Sequence, residues 1–255
     1  MVNEIFEKLS ALPQVEAIAL GGSRANGIFD DMSDYDVYVY VTDKIDNRAR
    51  EEILAPYCSE MEIDNHYWEF EDNIILKSGT GMDIIYRPMD IFDKFISQIV
   101  FEHKANHGYT TCFWHNIVTS QIVYDPSGKY AELKKKFTVP YPEELRKNII
   151  ELNMKMLSGV LPSYDKQIKK ALDRNDFVSV NHRIAGFLAS YFDVIFAVNR
   201  LTHPGEKRLV QICKERCEIL PRDFEENLDK LLKEKPTEKI MGTVADMTEK
   251  LREII

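Results

Sequence analysis

Residues 35–41 alternate with a period of two, and this short segment constrains the fold more than any other. The segment reads Tyr-Asp-Val-Tyr-Val-Tyr-Val, so the valines share one side of an extended chain and the even positions share the other. Such alternation of β-branched and aromatic residues is typical of a strand with one buried side. The segment therefore predicts a sheet strand with an apolar side and a distinct polar side, and Asp36 lies on the polar side.

A second aspartate, Asp34, stands two residues before Asp36. Strand residues separated by two point to the same side, so the two carboxylates project together. Like charges this close repel each other unless a cation neutralises them. Mg²⁺ typically takes one or two carboxylates together with substrate phosphates, so the pair predicts a magnesium site. Acids with this spacing are also common on solvent faces, and the preceding turn favours the functional interpretation.

That turn is Gly21-Gly22-Ser23, about a dozen residues before the acids. Glycine permits positive φ and a close approach of the backbone to a ligand, and Ser23 can cap a following helix whose N–H groups attract phosphate. The next residue, Arg24, either contacts phosphate or is simply solvated. A strand–turn–helix–strand path would bring the turn and the acids together, as phosphoryl or nucleotidyl transfer requires.

A third acid, Asp83, lies among apolar residues in Gly-Met-Asp-Ile-Ile-Tyr. Residues 82–86 and 67–77 are predicted strands, and Ser-Gly-Thr-Gly at 78–81 predicts a hairpin turn between them. An acid within an apolar strand calls for an explanation. We assign Asp83 as a metal ligand or as the base that takes the proton of an acceptor hydroxyl.

With these motifs, residues 15–90 resemble the DNA polymerase β-like nucleotidyltransferase superfamily, and within it the bacterial aminoglycoside and lincosamide nucleotidyltransferases. The resemblance implies a mixed sheet with helices behind it, followed by a helical domain, and it implies Mg²⁺ with ATP or another nucleoside triphosphate as co-substrate. It also implies that Gly22 and Ser23 hold the triphosphate. The acids implied for metal binding and catalysis are Asp34, Asp36 and Asp83. Some antibiotic-modifying relatives have Glu as the third acid, where this chain has Asp.

The character of the chain changes at Val139-Pro140-Tyr141-Pro142, where two prolines disfavour helix. The sequence predicts an α+β fold, with a mixed-sheet catalytic domain over residues 1–139 and an all-helical substrate-binding or lid domain over residues 140–255. In the first domain we also predict a strand at 15–20 and one at 117–124, and helices at 4–12, 91–104 and 128–137. In the second we predict helices at 143–157, 164–174, 177–201, 207–217, 222–233 and 239–255.

The segment from Asn199 to Arg208 carries a weaker resemblance, to uncharacterised bacterial nucleotidyltransferases with a helical second domain. In such proteins a lysine near the start of that helix can reach the triphosphate. The resemblance therefore assigns Lys207 to phosphate binding, with Arg208 as a less favoured substitute. Pro204-Gly205 breaks the chain just before it, so we expect Lys207 to open the next helix.

The net charge is −9, which repels a nucleic-acid backbone and attracts a cationic small molecule. We therefore expect no long nucleic acid as substrate. No apolar run approaches the roughly 18–20 residues that span a bilayer, the first residues suggest an amphipathic helix, and the four cysteines include no CxxC pair. These features predict a cytoplasmic protein that does not enter the membrane, and they leave its oligomeric state open.

Together these features predict an enzyme that transfers AMP from ATP to a hydroxyl of a small molecule, with an aminoglycoside-like antibiotic as one candidate. A protein side-chain hydroxyl or a tRNA end is an alternative acceptor, and the acidic charge argues against tRNA. A regulatory module that binds a nucleotide without catalysis is a third hypothesis, and the complete set of three acids argues against it.

Overall fold

A computed structural model describes the backbone of residues 1–25, 33–67, 69–233 and 235–255, and the side chain of Ser23 lies outside what it describes. The described residues form an α+β structure, as the sequence predicts. They divide into two compact units: residues 1–97 with 116–139, and residues 98–115 with 140–255. Residues 98–115, on the N-terminal side of the predicted boundary near residue 140, thus cluster with the second unit.

The first unit is built on a mixed sheet of six strands in the order β3-β4-β5-β2-β1-β6. β2 and β5 run parallel, and every other pair of neighbours is antiparallel. The strands are β1 (Val15–Leu20), β2 (Tyr35–Val41), β3 (Cys58–Asn65), β4 (Glu71–Leu76), β5 (Gly81–Pro88) and β6 (Gln121–Tyr124).

Six helices of the N-terminal half accompany these strands in the described part of the chain. They are α1 (Val2–Ser10), α2 (Gly22–Ala25), α3 (Asn47–Leu54), α4 (Met89–Val100), α5 (Cys112–Thr119) and α6 (Lys129–Phe137).

The two faces of β2 have different surroundings. Val37, Val39 and Val41 lie in the hydrophobic core that the sheet forms with α1 and α3. On the opposite face Tyr40 packs against Phe92 of α4, with ring centroids 5.8 Å apart, and against Tyr130 of α6, with centroids 4.5 Å apart. Helices therefore cover both faces of β2 toward its C-terminal end, and the aspartates lie at its N-terminal end.

A buried charge cluster links α3 to the edge of the sheet. The Arg50 guanidinium is fully buried, and it pairs with the equally buried Asp72 carboxylate and, at 3.2 Å, with Asp64. Tyr86 donates a hydrogen bond of 2.9 Å to the second oxygen of Asp72, and Phe70 lies 5.0 Å from the guanidinium. A buried ion pair is tolerated only where further hydrogen bonds compensate for desolvation, and this cluster supplies them.

The second unit contains six further helices within the described residues. They are α7 (Glu143–Leu157), α8 (Tyr164–Asp173), α9 (Phe177–Val198), α10 (Leu209–Arg216), α11 (Phe224–Lys233) and α12 (Lys239–Arg252). The longest of these, α9, is capped by the Asp176 side chain, which accepts a hydrogen bond from the Ser179 N–H. Its last nine residues, 190–198, are all buried, because α9 packs against several other helices of its unit.

A buried aspartate ties α9 to the segment before α5. The Asp193 carboxylate accepts hydrogen bonds from the backbone N–H of Thr110, at 3.1 Å, and from its hydroxyl, at 2.7 Å. The Asn153 amide on α7 donates a third bond of 3.2 Å. Burial raises the pKa of Asp193 to about 7, although the donors from Thr110 and Asn153 act to lower it.

Several predicted elements are confirmed. The predicted strands 15–20 and 35–41 are β1 and β2, and the predicted hairpin is formed by β4 and β5, closed by a 2.8 Å hydrogen bond from the Leu76 N–H to the Thr80 carbonyl. β4 begins at Glu71, four residues after the predicted start.

The predicted strand 117–124 is wrong in its first half. Helix α5 continues through Thr119, and β6 begins at Gln121. Ile117 is fully buried in the helix, and the Ser120 side chain closes it by donating to the Ile117 carbonyl at 3.0 Å. A short run of β-branched residues fits either a strand or a buried helix, and burial favoured the helix here.

Two elements between β2 and β4 were not predicted. Helix α3 is charged over much of its length, and the Asp46 side chain caps it by accepting hydrogen bonds from two N–H groups. Strand β3 is exposed or half-buried throughout, and its apolar alternation is limited to Met61 and Ile63. Both depend on the Arg50 cluster, which no local pattern reveals.

Among the described residues no helix is both long and apolar enough to cross a bilayer.

Candidate functional site

Two of the predicted acids are neighbours across the sheet. In the parallel pair of β2 and β5, Asp36 is the register partner of Asp83. Register partners point to the same face, and both side chains are half-buried on the face opposite the valine core. The sheet thus holds two carboxylates side by side.

The glycine turn lies against the first of these carboxylates. Gly22 has φ +61°, and a Cβ built on it would overlap the Asp36 carboxylate. The Gly21 N–H donates a 2.7 Å hydrogen bond to the Asp36 carbonyl, and a Cβ on Gly21 would overlap the Tyr38 ring. A side chain at either position would collide with its neighbour, so both positions require glycine. Gly22 also requires it because its backbone is left-handed.

Asp34 lies at the same end of β2 and is exposed. A Cβ built on Gly81 would stand 2.5 Å from Oδ1 of Asp34, so this glycine, at the start of β5, leaves space for that carboxylate. From the sequence alone Gly81 is only part of the hairpin turn, because its partner is 47 positions away along the chain.

Arg24 holds the backbone that carries the first acid. Its Nε donates to the carbonyls of Ser33, at 3.0 Å, and Asp34, at 3.1 Å, and its Nη2 donates to the Ser33 carbonyl at 2.5 Å. The guanidinium also stacks over the Tyr35 ring, 4.0 Å from its centroid. The sequence suggested phosphate contact or solvation for Arg24, and neither alternative included this contact with the backbone. Secondary-structure propensities and sequence motifs do not indicate a hydrogen bond from a side chain to a carbonyl nine residues away.

Asn73 and Asn65 were also missed by sequence analysis. Asn73 is the register partner of Asp83 on β4, and its Nδ2 donates a 2.8 Å hydrogen bond to Oδ1 of Asp83. Asn65 at the end of β3 donates from Nδ2 to Oδ1 of Asn73 at 2.7 Å. The third acid therefore has one oxygen engaged by a donor from the neighbouring strand.

A buried carboxyl, Glu71, lies on the same face of β4, two residues before Asn73. Burial raises the pKa of Glu71, a hydrogen bond from the Asn73 side chain lowers it, and the charge of Asp83 raises it further. Farther along this face the Arg87 guanidinium forms two hydrogen bonds to Glu69, at 2.8 and 2.6 Å. This face of the sheet therefore carries several acids around one half-buried pair.

The donor set fits a divalent cation in its chemistry. Three carboxylates lie at one end of two adjacent strands, and such hard oxygen ligands are those that Mg²⁺ prefers. Among the residues that the structure describes, however, no group of three or more His, Cys, Asp or Glu side chains is arranged to hold a metal ion.

The other predicted site residues are Ser23 and Lys207. Ser23 belongs by its backbone to α2, and its side chain is not described. Lys207 lies in the second unit and is exposed. The prediction that Lys207 opens a helix is wrong: α10 begins at Leu209, because Arg208 adopts a left-handed conformation with φ +56° and serves as the N-cap.

Two protein families match parts of the chain. Residues 2–106 match the family described as nucleotidyltransferase domain, and residues 110–209 match a domain of unknown function, DUF4037. The second match begins at the Asp193 partner Thr110 and ends at the first residue of α10. A search of the curated proteins finds no match.

Three solved structures illustrate the structural similarity. A nucleotidyltransferase-like protein from Exiguobacterium sibiricum is 11% identical, with a TM-score of 0.46, and the alignment covers 98% of this chain and 72% of that one. An aminoglycoside 6-adenyltransferase from Bacillus subtilis is 12% identical, with a TM-score of 0.32 and coverages of 98% and 88%. A CCA-adding enzyme from Thermotoga maritima, complexed with tRNA, is 11% identical, with a TM-score of 0.29 and coverages of 99% and 80%.

Similarities at these TM-scores support no inference about this chain, whereas the family match covers strands β1 to β5. The mixed sheet begins with β1, the glycine turn and the acid-bearing β2, all inside the matched segment. Residues 2–106 of this chain match the nucleotidyltransferase domain family, and a helical region follows them.

Proposed function

We propose that the chain is a magnesium-dependent nucleotidyltransferase that transfers AMP from ATP to a hydroxyl group of a small acceptor. The observation that carries this proposal is the pairing of Asp36 with Asp83, with Gly22 packed against the Asp36 carboxylate. A carboxylate pair next to a glycine turn suits a triphosphate with its cation, because the turn admits phosphate oxygens close to the backbone.

In this proposal three aspartates bind the cation: Asp34, Asp36 and Asp83. Gly22 and Ser23 hold the triphosphate tail, and Lys207 is assigned to phosphate binding. Bound Mg²⁺ would neutralise charge on the phosphates and on the pyrophosphate that leaves. Arg24 keeps the backbone of Asp34 in place through its carbonyl contacts.

The proposed reaction forms one bond and breaks one. The acceptor hydroxyl oxygen bonds to the α-phosphorus of ATP, the bond from that phosphorus to the bridging oxygen breaks, and pyrophosphate leaves with that electron pair. The hydroxyl proton passes to a carboxylate. Asp83 serves as a ligand of the cation or as this base, and Oδ2 is the candidate atom because Asn73 engages Oδ1.

The proposed acceptor is a small cationic molecule with hydroxyl groups, of which an aminoglycoside-like antibiotic is an example. The net charge of −9 favours a cation over a polyanion. We propose residues 1–139 as the catalytic domain and residues 140–255 as the region that binds the acceptor. Residues 110–209, which include much of this second region, match a separate family, DUF4037. A separate match is consistent with a separate binding role.

The test is pyrophosphate release from ATP and Mg²⁺ with a panel of hydroxylated amines. We expect Asp34→Asn and Asp36→Asn to reduce turnover at least ~100-fold, because they remove charge where the cation binds. Asp43→Asn is the matched control, since Asp43 is an exposed aspartate just beyond the other end of β2. Wild-type turnover in the first two variants would refute the proposed site.

A second assay distinguishes the other acceptors. Labelled ATP incubated with a whole lysate and separated on a gel would reveal label on protein or on tRNA. ATP bound tightly without pyrophosphate release on any acceptor would instead indicate a regulatory nucleotide-binding domain.

A further inference from the structure

Three hydrogen bonds run in one direction toward the carboxylate of Asp83. The Tyr67 backbone N–H donates to Oδ1 of Asn65 at 2.8 Å. Nδ2 of Asn65 donates to Oδ1 of Asn73 at 2.7 Å, and Nδ2 of Asn73 donates to Oδ1 of Asp83 at 2.8 Å. We refer to these two asparagines and their three bonds as the amide chain.

The direction of the amide chain is fixed at its start. A side-chain amide presents an oxygen and an NH₂ group that are nearly identical in shape, so its orientation must follow from its partners. A backbone N–H can only donate, so Asn65 must turn its oxygen toward Tyr67 and its NH₂ group toward Asn73. Asn73 must then direct its own NH₂ group at Asp83, and a donor faces the carboxylate.

A β-bulge places Asn65 on the correct face. In the register of β3 and β4, Glu62 pairs with Asn73 and Asn65 pairs with Glu71, so three steps along β3 match two along β4. The extra residue is accommodated where Asp64 adopts φ +67°. A one-residue slip reverses the side to which every later side chain points, so without the bulge Asn65 would face the opposite side of the sheet.

The buried charge cluster anchors this bulge from the opposite face. Arg50 contacts the Asp64 carboxylate at 3.2 Å, and the Asp64 N–H donates to Asp72 at 3.0 Å. Asp64 therefore keeps its left-handed backbone because both its side chain and its N–H are bonded within the cluster. The position of Asn65, and through it the orientation of the Asn73 amide, thus depends on a cluster on the other side of the sheet.

We infer that Asn73 and Asn65 are positioning residues that fix the third acid for a divalent cation. The amide chain engages Oδ1 of Asp83 with a donor and leaves Oδ2 as the oxygen for the cation. The inference rests on the proposed function, because the amide chain has this role only if Asp83 binds the metal–nucleotide complex. Loss of a partner that orients a metal ligand typically weakens metal binding by about 10–100-fold.

The probe is Mn²⁺, titrated by electron paramagnetic resonance in the presence of a non-hydrolysable ATP analogue, so that the readout is binding and not turnover. Asn73→Ala removes the donor to Asp83, and we expect the Mn²⁺ dissociation constant to rise about tenfold. Ser59→Ala is the matched control: Ser59 lies on the same strand as Asn65 and also donates one side-chain hydrogen bond to β4, to the Ile75 carbonyl. We expect it to bind Mn²⁺ as the wild type does.

The decisive variant is Asn65→Asp, whose site lies two hydrogen bonds from the Asp83 carboxylate. The introduced carboxylate would still accept the Tyr67 N–H, but its second oxygen would face the oxygen of Asn73, so the Asn73 amide would turn over and present its oxygen to Asp83. An added negative charge should by itself strengthen cation binding. The amide chain predicts the opposite sign, a weaker affinity.

The two substitutions should also be non-additive. If Asn65→Asp acts through the Asn73 amide, it should weaken Mn²⁺ binding far less in an Asn73→Ala background, where that amide is absent. Circular dichroism of each variant checks that the fold is retained. Folded Asn73→Ala and Asn65→Asp proteins that bind Mn²⁺ with wild-type affinity would overturn the inference.

Failure of the inference and failure of the proposed function give different results. If the wild type binds Mn²⁺ with the nucleotide analogue and all variants match it, the metal site stands and the positioning role is wrong. If the wild type binds neither Mn²⁺ nor the analogue, the proposed function fails and the inference is overturned with it.

Discussion

Gly22 and Asp36 are so close that a single methyl group on the glycine would overlap the aspartate carboxylate. The contact joins the turn after β1 to the start of β2, where the Gly21 N–H also binds the Asp36 carbonyl. It matters because the carboxylate stands beside its partner Asp83 on β5. The position of the Asp36 carboxylate thus depends on the absence of a side chain at Gly22, and its place beside Asp83 depends on the strand register.

The first prediction concerns this contact. Gly22→Ala should displace the Asp36 carboxylate and reduce pyrophosphate release at least ~100-fold. Gly128→Ala is the matched control, because Gly128 has a similar φ of +72° but open space where a Cβ would be. Both variants bear the strain of alanine at positive φ, on the order of 1 kcal/mol, so only the collision distinguishes them. Equal activity in the two variants would contradict a role for this contact.

The second prediction concerns Arg24. Arg24→Lys keeps the positive charge but loses the planar fork that reaches the carbonyls of Ser33 and Asp34 together. We expect turnover to fall about tenfold, with little change in the free energy of unfolding, because the contacts order only a short segment at the start of β2. Steady-state kinetics and urea unfolding of the same preparation measure both quantities. Full activity in Arg24→Lys would mean that charge alone is needed there.

The third prediction concerns the buried charge cluster. Arg50→Met should lower the free energy of unfolding by roughly 3–5 kcal/mol, because it leaves the fully buried Asp72 carboxylate without its cation. Arg48→Met is the control: Arg48 lies on the same helix, its side chain is 84% exposed, and it pairs with Glu52. Changes at such a surface position are usually within about ±0.5 kcal/mol. Urea unfolding followed by circular dichroism measures the difference.

The fourth prediction concerns the pH dependence of stability. Burial raises the pKa of Asp193 from 3.8 to about 7, so between these values the folded protein holds a proton that the unfolded chain has released. The free energy of unfolding contributed by this group is therefore full below about pH 4 and falls as pH rises toward 7, by up to about 1.4 kcal/mol per pH unit.

Asp193→Asn removes the titrating group and should abolish this component. Relative to the variant, the wild type should lose roughly 2–3 kcal/mol of stability between about pH 5 and pH 7.5, measured by parallel urea titrations. A difference between the two proteins that does not change with pH would show that Asp193 is ionised throughout this range. The three donors from Thr110 and Asn153 would then outweigh the cost of burial.

Local pattern was enough for much of the architecture. The alternation of residues 35–41 predicted both the strand and its valine-bearing side, because a period of two identifies faces without reference to any partner. Helical periods predicted α7 with the observed bounds, and the Ser-Gly-Thr-Gly turn predicted the hairpin of β4 and β5. The α+β class follows from these elements, and the glycine–serine and aspartate motifs indicated the resemblance that agrees with the family match over residues 2–106.

Tertiary structure decided what depends on partners distant in sequence. That Asp36 stands beside Asp83 follows from a parallel register across 47 residues, and no local pattern encodes a register. The contact of Gly81 with Asp34 and the donor from Asn73 to Asp83 are likewise products of strand pairing. The sequence alone thus determined which residue types and faces were present, because periodicity is a property of the chain. Only the folded sheet determined which side chains come into contact, because the strand register sets those contacts.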